Sequence, residues 1–121
     1  MPVRSLNSSV LRWPTYEEVI CKLKEWIKEV TEKKDEVIRI GLFGSYARGD
    51  FGVGSDLDLI IIVESSKLPF ERRGIEWDTT SLPVPVDLLI YTSEEWEALK
   101  EKRTKFYKTI MKEAIWLYDK S

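Results

Sequence analysis

Apolar residues recur at three- and four-residue steps early in the chain, at Tyr16, Val19, Ile20, Leu23, Ile27 and Val30. Lys22, Lys24, Lys28 and Glu29 fill most of the opposite face, so the spacing predicts an amphipathic helix. Pro14 and Thr15 announce its start. Thr15 and Glu18 stand at the separation at which each side chain can satisfy the other residue's free backbone N–H. Cys21 falls inside the apolar pattern and is read as a core thiol. After a charged turn over residues 31–35 the period changes. Val37–Phe43 is short, β-branched and interrupted by Gly41, which reads as a strand. Leu57–Val63 is apolar almost throughout, as expected of a strand covered on both faces. Residues 84–91 form a third apolar run, with Pro85 tolerable near its start or at a sheet edge.

Between the first two strands, residues 44–54 hold four glycines, which predicts a loop or a broken helical turn. Residues 64–81 carry no clear period. A short helix is expected around residues 69–73, with Arg72 and Arg73 in a solvated basic patch and the rest a surface excursion. Thr92 and Glu95 repeat the capping-box spacing. Behind them Trp96, Leu99, Arg103, Phe106, Tyr107 and Ile110 trace one face of a single final helix, on which Arg103 is the only charge. Residues 114–118 suit a last short strand. This order predicts an α/β (α+β) fold: a small mixed sheet of about four strands with helices packed on it, in a single domain over residues 1–121.

Composition narrows the chemistry. With 43% hydrophobic and 33% charged residues the chain is expected to be globular. No apolar run approaches the roughly 20 residues of a membrane span, and residues 1–12 lack the apolar block of a secretory signal. A lone cysteine agrees with a reducing compartment, so a cytoplasmic protein without membrane contact is expected. There is no histidine, which excludes imidazole bases, Ser-His-Asp triads and most zinc sites. Carboxylates remain as metal ligands. The net charge of −2, without a block of consecutive basic residues, gives no reason to expect direct nucleic-acid binding.

The candidate chemistry lies in residues 44–59. Asp56 and Asp58 are two apart at the head of a strand, so they point to one face while Leu57 faces the other. Carboxylate oxygens without imidazole or thiolate favour Mg2+, with Mn2+ as the alternative. Five apolar residues follow Asp58, and an unpaired carboxylate in such surroundings is costly unless a cation meets it. Asp87, between Val86 and Leu88, joins the pair if the two strands are neighbours, and three carboxylates can hold two ions for an in-line phosphoryl displacement. Gly44 and Ser45 follow a strand directly, where backbone N–H groups and a hydroxyl can cradle phosphate. Arg48 could reach a phosphate or anchor the loop on a carboxylate. Ser55 could contact phosphate or simply form the turn. Asp50 reads as a loop residue and Trp77 as a core or interface residue.

Gly44-Ser45, ten intervening residues, then Asp56-Leu57-Asp58 resembles the signature of the DNA polymerase β-like nucleotidyltransferase superfamily. The fuller run Gly-Ser-Tyr-Ala-Arg-Gly followed by Ser-Asp-Leu-Asp-Leu resembles its minimal nucleotidyltransferase (MNT) branch, MntA-like antitoxins of HEPN/MNT toxin–antitoxin systems. The resemblance is close over residues 40–63 and implies the polymerase β-like nucleotidyltransferase fold. It implies a Mg2+-dependent, ATP-using enzyme with Asp56, Asp58 and Asp87 as metal-binding catalytic acids. Asp87 would also help activate the acceptor hydroxyl, and Gly44 and Ser45 would take the triphosphate, with Arg48 and Ser55 nearby. In that branch AMP passes to a tyrosine of a HEPN-type toxin partner, and the transferase acts as antitoxin. Two other readings stand beside it. One is transfer to a small-molecule hydroxyl of aminoglycoside type, for which a homo-oligomer would supply the missing wall. The other is an antitoxin that neutralises by binding alone. Tyr107, Trp116 and Tyr118 also add more apolar surface than so small a sheet needs, which leaves room for a protein interface.

Overall fold

The computed structural model describes residues 13–120. The expectation about a secretory signal concerns residues 1–12 and lies outside them. Helix α1 (Tyr16–Lys33) starts where the capping signal lies. The Thr15 hydroxyl accepts from the Glu18 N–H at 3.1 Å and donates to the Glu18 carboxylate at 3.2 Å. Glu17 and Glu18 in its first turn and Lys33 in its last complement the helix dipole. The face Val19, Leu23, Trp26 and Ile27 is buried. Cys21 is not part of it, contrary to the core-thiol reading. It lies two residues from both Val19 and Leu23, about 160° around the helix from each. Its thiol is exposed and 3.9 Å from the Glu25 carboxylate.

Strands β1 (Val37–Phe43), β2 (Leu57–Val63), β3 (Val86–Thr92) and β4 (Ile115–Asp119) form one sheet in the order β3-β2-β1-β4. β1 pairs antiparallel with both β2 and β4, and β2 runs parallel to β3. The sheet is mixed, as the element order predicts. A parallel pair needs a crossover, and residues 64–85 supply it, with a 3-10 helix over Phe70–Glu76. β2, in the middle, is apolar on both sides. Leu57, Leu59, Ile61 and Val63 pack toward the α1 side, and Ile60 and Ile62 pack with Trp96 and Ile110 on the other. Gly41 makes room on that second side: a Cβ there would stand 2.8 Å from the Trp116 ring and 3.1 Å from Ile60. The Arg39 guanidinium lies 3.8 Å from the centre of the same indole, a cation–π contact.

Two expectations are corrected on the crossover and the C-terminal half. The final helix is two helices, α3 (Ser93–Lys102) and α4 (Lys105–Glu113). The Thr104 hydroxyl accepts from the Tyr107 N–H at 3.1 Å and starts a new helix, while Arg103 takes a left-handed conformation with φ 51°. A capping threonine competes with helix continuation. Trp96, Phe106, Tyr107 and Ile110 still face the sheet across the break, but Arg103 is exposed. The second correction is Arg73, which is buried at 6% exposure rather than solvated. Its guanidinium donates to the two Glu95 carboxylate oxygens at 2.5 and 3.0 Å, to the Ile90 carbonyl at 2.9 Å and to the Leu68 carbonyl at 2.9 Å. Four acceptors replace water, and the crossover is tied to β3 and α3 through them. Arg72 is exposed as expected. Trp77 packs near Trp26, whose indole N–H donates to the Asp78 carbonyl at 2.8 Å. Among the described residues no helix is long and apolar enough to cross a membrane.

Candidate active site

The candidate site forms where β1 ends and β2 and β3 begin. β1 stops at Phe43, and Gly44 turns the chain with φ 73° and ψ −152°, a conformation essentially confined to glycine. Glycine is needed here for a second reason: a Cβ at this position would stand 2.1 Å from Asp58 Oδ2 and 3.2 Å from the Asp58 Cβ. The Asp58 carboxylate thus lies against the bare Cα of the loop. A single helical turn, α2 (Ser45–Arg48), follows. The Ala47 and Arg48 N–H groups return to the Gly44 carbonyl at 3.1 and 3.0 Å. As in any helical start, the first N–H groups, here of Ser45 and Tyr46, find no acceptor within the turn. Gly49, at φ 84°, ends it.

Aromatic packing holds the turn and the loop behind it. The Tyr46 ring is buried and stacks on Phe51 with centroids 4.7 Å apart and planes 7° from parallel. Tyr16 of α1 stacks on Phe51 at 5.4 Å. Arg48 ties the loop to α4, with Nε 3.0 Å from Asp50 Oδ2 and Nη1 3.3 Å from Glu113 Oε1. Its contacts here are those of a loop anchor. Ser55 makes a turn contact, its hydroxyl accepting from the Gly52 N–H at 2.8 Å.

Asp56 is exposed just before β2, and Asp58 is half-buried within it. In the sheet Asp58 stands beside Phe43 on one side and Asp87 on the other. Neighbouring strands lie about 4.8 Å apart, so Asp58 and Asp87 are adjacent on the same face, with Asp56 next along it. That is the face of Ile60 and Ile62, which α3 and α4 cover further along the strand. Burial raises the Asp58 carboxyl above the usual carboxylate range, and the like charges of Asp87 and Asp56 raise it further. Arg48 is the one cation acting against them. The charge and the hard oxygen donors fit a divalent cation. Geometry is less advanced: among the described residues no three His, Cys, Asp or Glu side chains are gathered as a ready-made metal cage. Cavities of about 270 and 240 Å³ surround Trp77, the larger one at the other end of β2 beside Val63.

Sequence reasoning brought together the three acids and the Gly44–Ser45 turn, and missed the groups that hold the turn in place. Tyr46 and Phe51 were visible as two aromatics in a glycine-rich loop, a signal of local packing. Glu113, 65 residues from Arg48, had none.

Residues 23–117 match the nucleotidyltransferase domain family. A Methanocaldococcus jannaschii protein named "Putative protein adenylyltransferase MJ0141" is 38% identical over 74 residues, which cover 60% of this chain and 75% of that protein. Two crystal structures share the fold. One is of "a putative nucleotidyltransferase from Sulfolobus solfataricus", with a TM-score of 0.61 at 18% identity, covering 87% of this chain and 84% of that one. The other is of a "toxin-antitoxin with AMP-PNP", with a TM-score of 0.55 at 19% identity, covering 83% and 74%. The chain belongs to the nucleotidyltransferase domain family and is, on that ground, a nucleotidyltransferase.

Proposed function

We propose that the protein is a Mg2+-dependent adenylyltransferase that moves AMP from ATP to a tyrosine hydroxyl of a HEPN-type toxin partner and thereby acts as its antitoxin. The observation that carries the chemistry is the register pair Asp58–Asp87 beneath the glycine turn: two carboxylates in adjacent parallel strands, one of them against the bare Cα of Gly44. The protein acceptor is supported by the name of the Methanocaldococcus jannaschii relative. The toxin partner and the adenine nucleotide are supported by the toxin–antitoxin structure with AMP-PNP.

In this reading the Ser45 and Tyr46 N–H groups and the Ser45 hydroxyl bind the β- and γ-phosphates, and Gly44 leaves them unobstructed. Asp56, Asp58 and Asp87 would hold the divalent ion, which when bound neutralises phosphate charge and polarises the α-phosphate. The acceptor oxygen forms a bond to the α-phosphorus as the bond to the bridging oxygen breaks. Pyrophosphate leaves, and Asp87, exposed at the mouth of the site, takes the hydroxyl proton. Arg48, held by Asp50 and Glu113, keeps the turn aligned. Incubation with α-labelled ATP, Mg2+ and the purified toxin partner tests the proposal. Label should appear on the partner with wild type and vanish with Asp56→Ala. Equal labelling by both, or none by wild type, refutes it.

A further inference from the structure

Charge is segregated along this chain. Residues 100–112 carry six lysines or arginines and one glutamate, whereas the remainder carries thirteen basic and twenty acidic residues. Lys100, Lys102, Arg103, Lys105, Lys108 and Lys112 are all exposed. Ion pairs elsewhere engage Lys22, Arg39, Arg48, Arg73 and Lys120, yet among the described residues none engages these six. Such a strip repels itself, and although Lys100, Lys102 and Lys112 lie in the last turns of their helices, where cations suit the dipole, Lys105 and Arg103 have no such local reason. Helix α4 begins on Lys105 and has no acid in its first turn, whereas α1 and α3 each have two. A cation at a helix start opposes the dipole. Arg103 occupies a left-handed position that favours glycine or asparagine, and it is the one non-glycine residue at positive φ among those described. Met111 and Ile115 add apolar surface beside the lysines, each 42% exposed.

The strip leads to the candidate active site. Helix α4 spans nine residues, about 13 Å. Its last residue, Glu113, holds Arg48, the cation that acts on Asp58. At its other end an open groove of about 780 Å³ runs between α3 and α4, lined by Lys100, Arg103, Tyr107 and Lys108 with Glu97 and Glu101.

We infer that this face of α3 and α4 docks an acidic surface of the acceptor protein and so delivers its hydroxyl to the carboxylates. The inference rests on the reading of transfer to a partner protein. A protein fits better than a nucleic acid, because a continuous polyanion following the strip would run into Asp56, Asp58 and Asp87. A protein can confine its acids to the strip and set Met111 and Ile115 against apolar groups. The unpaired lysines would steer encounter and weaken with salt, since screening sets in at about 10 Å in 0.1 M salt.

The test measures binding first, without ATP, by fluorescence anisotropy of a labelled random copolymer of glutamate and tyrosine. Wild type should bind it with a strong salt dependence. Lys105→Glu/Lys108→Glu/Lys112→Glu should weaken binding about tenfold or more, and the milder triple change to Gln should fall between. Lys24→Glu/Lys28→Glu, on α1, should change it less than twofold. Thermal unfolding of each variant shows that it is folded. No binding by wild type, equal loss in the α1 control, or tighter binding of a 30-nucleotide oligouridylate that the triple variant loses, would overturn the inference. Transfer to the partner is then assayed separately. Intact copolymer binding with no transfer counts against the adenylyltransferase reading alone, and undiminished transfer by the triple variant counts against docking alone.

Discussion

Arg73 and Asp58 are both charged groups drawn into the sheet, at opposite ends of the β2–β3 pair, and the fold treats them in opposite ways. Arg73 is met by a carboxylate and two carbonyls. Its hydrogen bonds with Glu95 hold the Glu95 carboxyl below the usual range and keep the guanidinium protonated. Asp58 is met by two further acids and by the backbone of Gly44. One end is a completed network; at the other three acids gather with one cation, Arg48, acting against them. Local conflict of this kind is expected where a site awaits a ligand, and compensation is expected where a residue only holds the fold.

Breaking the two ends should therefore give opposite phenotypes. The largest effect is expected from Asp58→Asn, which keeps the shape and removes the charge. Nucleotidyl transfer should fall on the order of 10³-fold, while the melting temperature stays level or rises by about 2–5 °C. Calorimetry beside a transfer assay reads both, and a marked loss of stability would contradict the contrast. Next comes Arg73→Met. It leaves the Glu95 carboxylate without its guanidinium and takes a donor from the Ile90 and Leu68 carbonyls, at a cost of about 2–3 kcal/mol in denaturant unfolding. The figure is held down because the Glu95 side chain is 41% exposed.

Acid titration sharpens the comparison at lower amplitude. Glu95 has a depressed carboxyl, so its contribution is present above the ordinary glutamate value of 4.5 and is lost as pH falls through the lower folded value. Stability measured from pH 6 to pH 3 should decline more steeply in wild type than in Arg73→Met. The smallest effect belongs to Cys21→Ser, away from both ends. An exposed thiol predicts a change within about 0.5 kcal/mol, where a core thiol would cost more.

What was legible in the sequence was whatever a local period encodes. The two-residue alternation places Asp56 and Asp58 on one face whatever the rest of the chain does, and apolar runs mark the strands that carry the acids, but Asp87 joins the pair only through the β2–β3 register. Capping residues located the starts of α1 and α3. Thr104 carried the same signal, but the apolar spacing from Trp96 to Ile110 continues in phase across it and conceals the break. Partnerships were not legible. Nothing near Arg73 announces Glu95, 22 residues on, so a basic pair in a polar stretch reads as surface. Cys21 shows the converse error, since proximity to apolar residues in sequence is not membership of their stripe.

Glu95 has one further consequence, for how the molecule opens. Its Oε1 accepts from the Thr92 N–H at 2.9 Å, closing the cap of α3, and receives Arg73 as well. The start of a helix and the seating of the crossover thus share one oxygen. Release of Arg73 is expected to loosen the first turn of α3, and fraying of that turn to loosen the seat of Arg73. The Thr92 amide should therefore exchange with solvent in step with the opening of Phe70–Glu76.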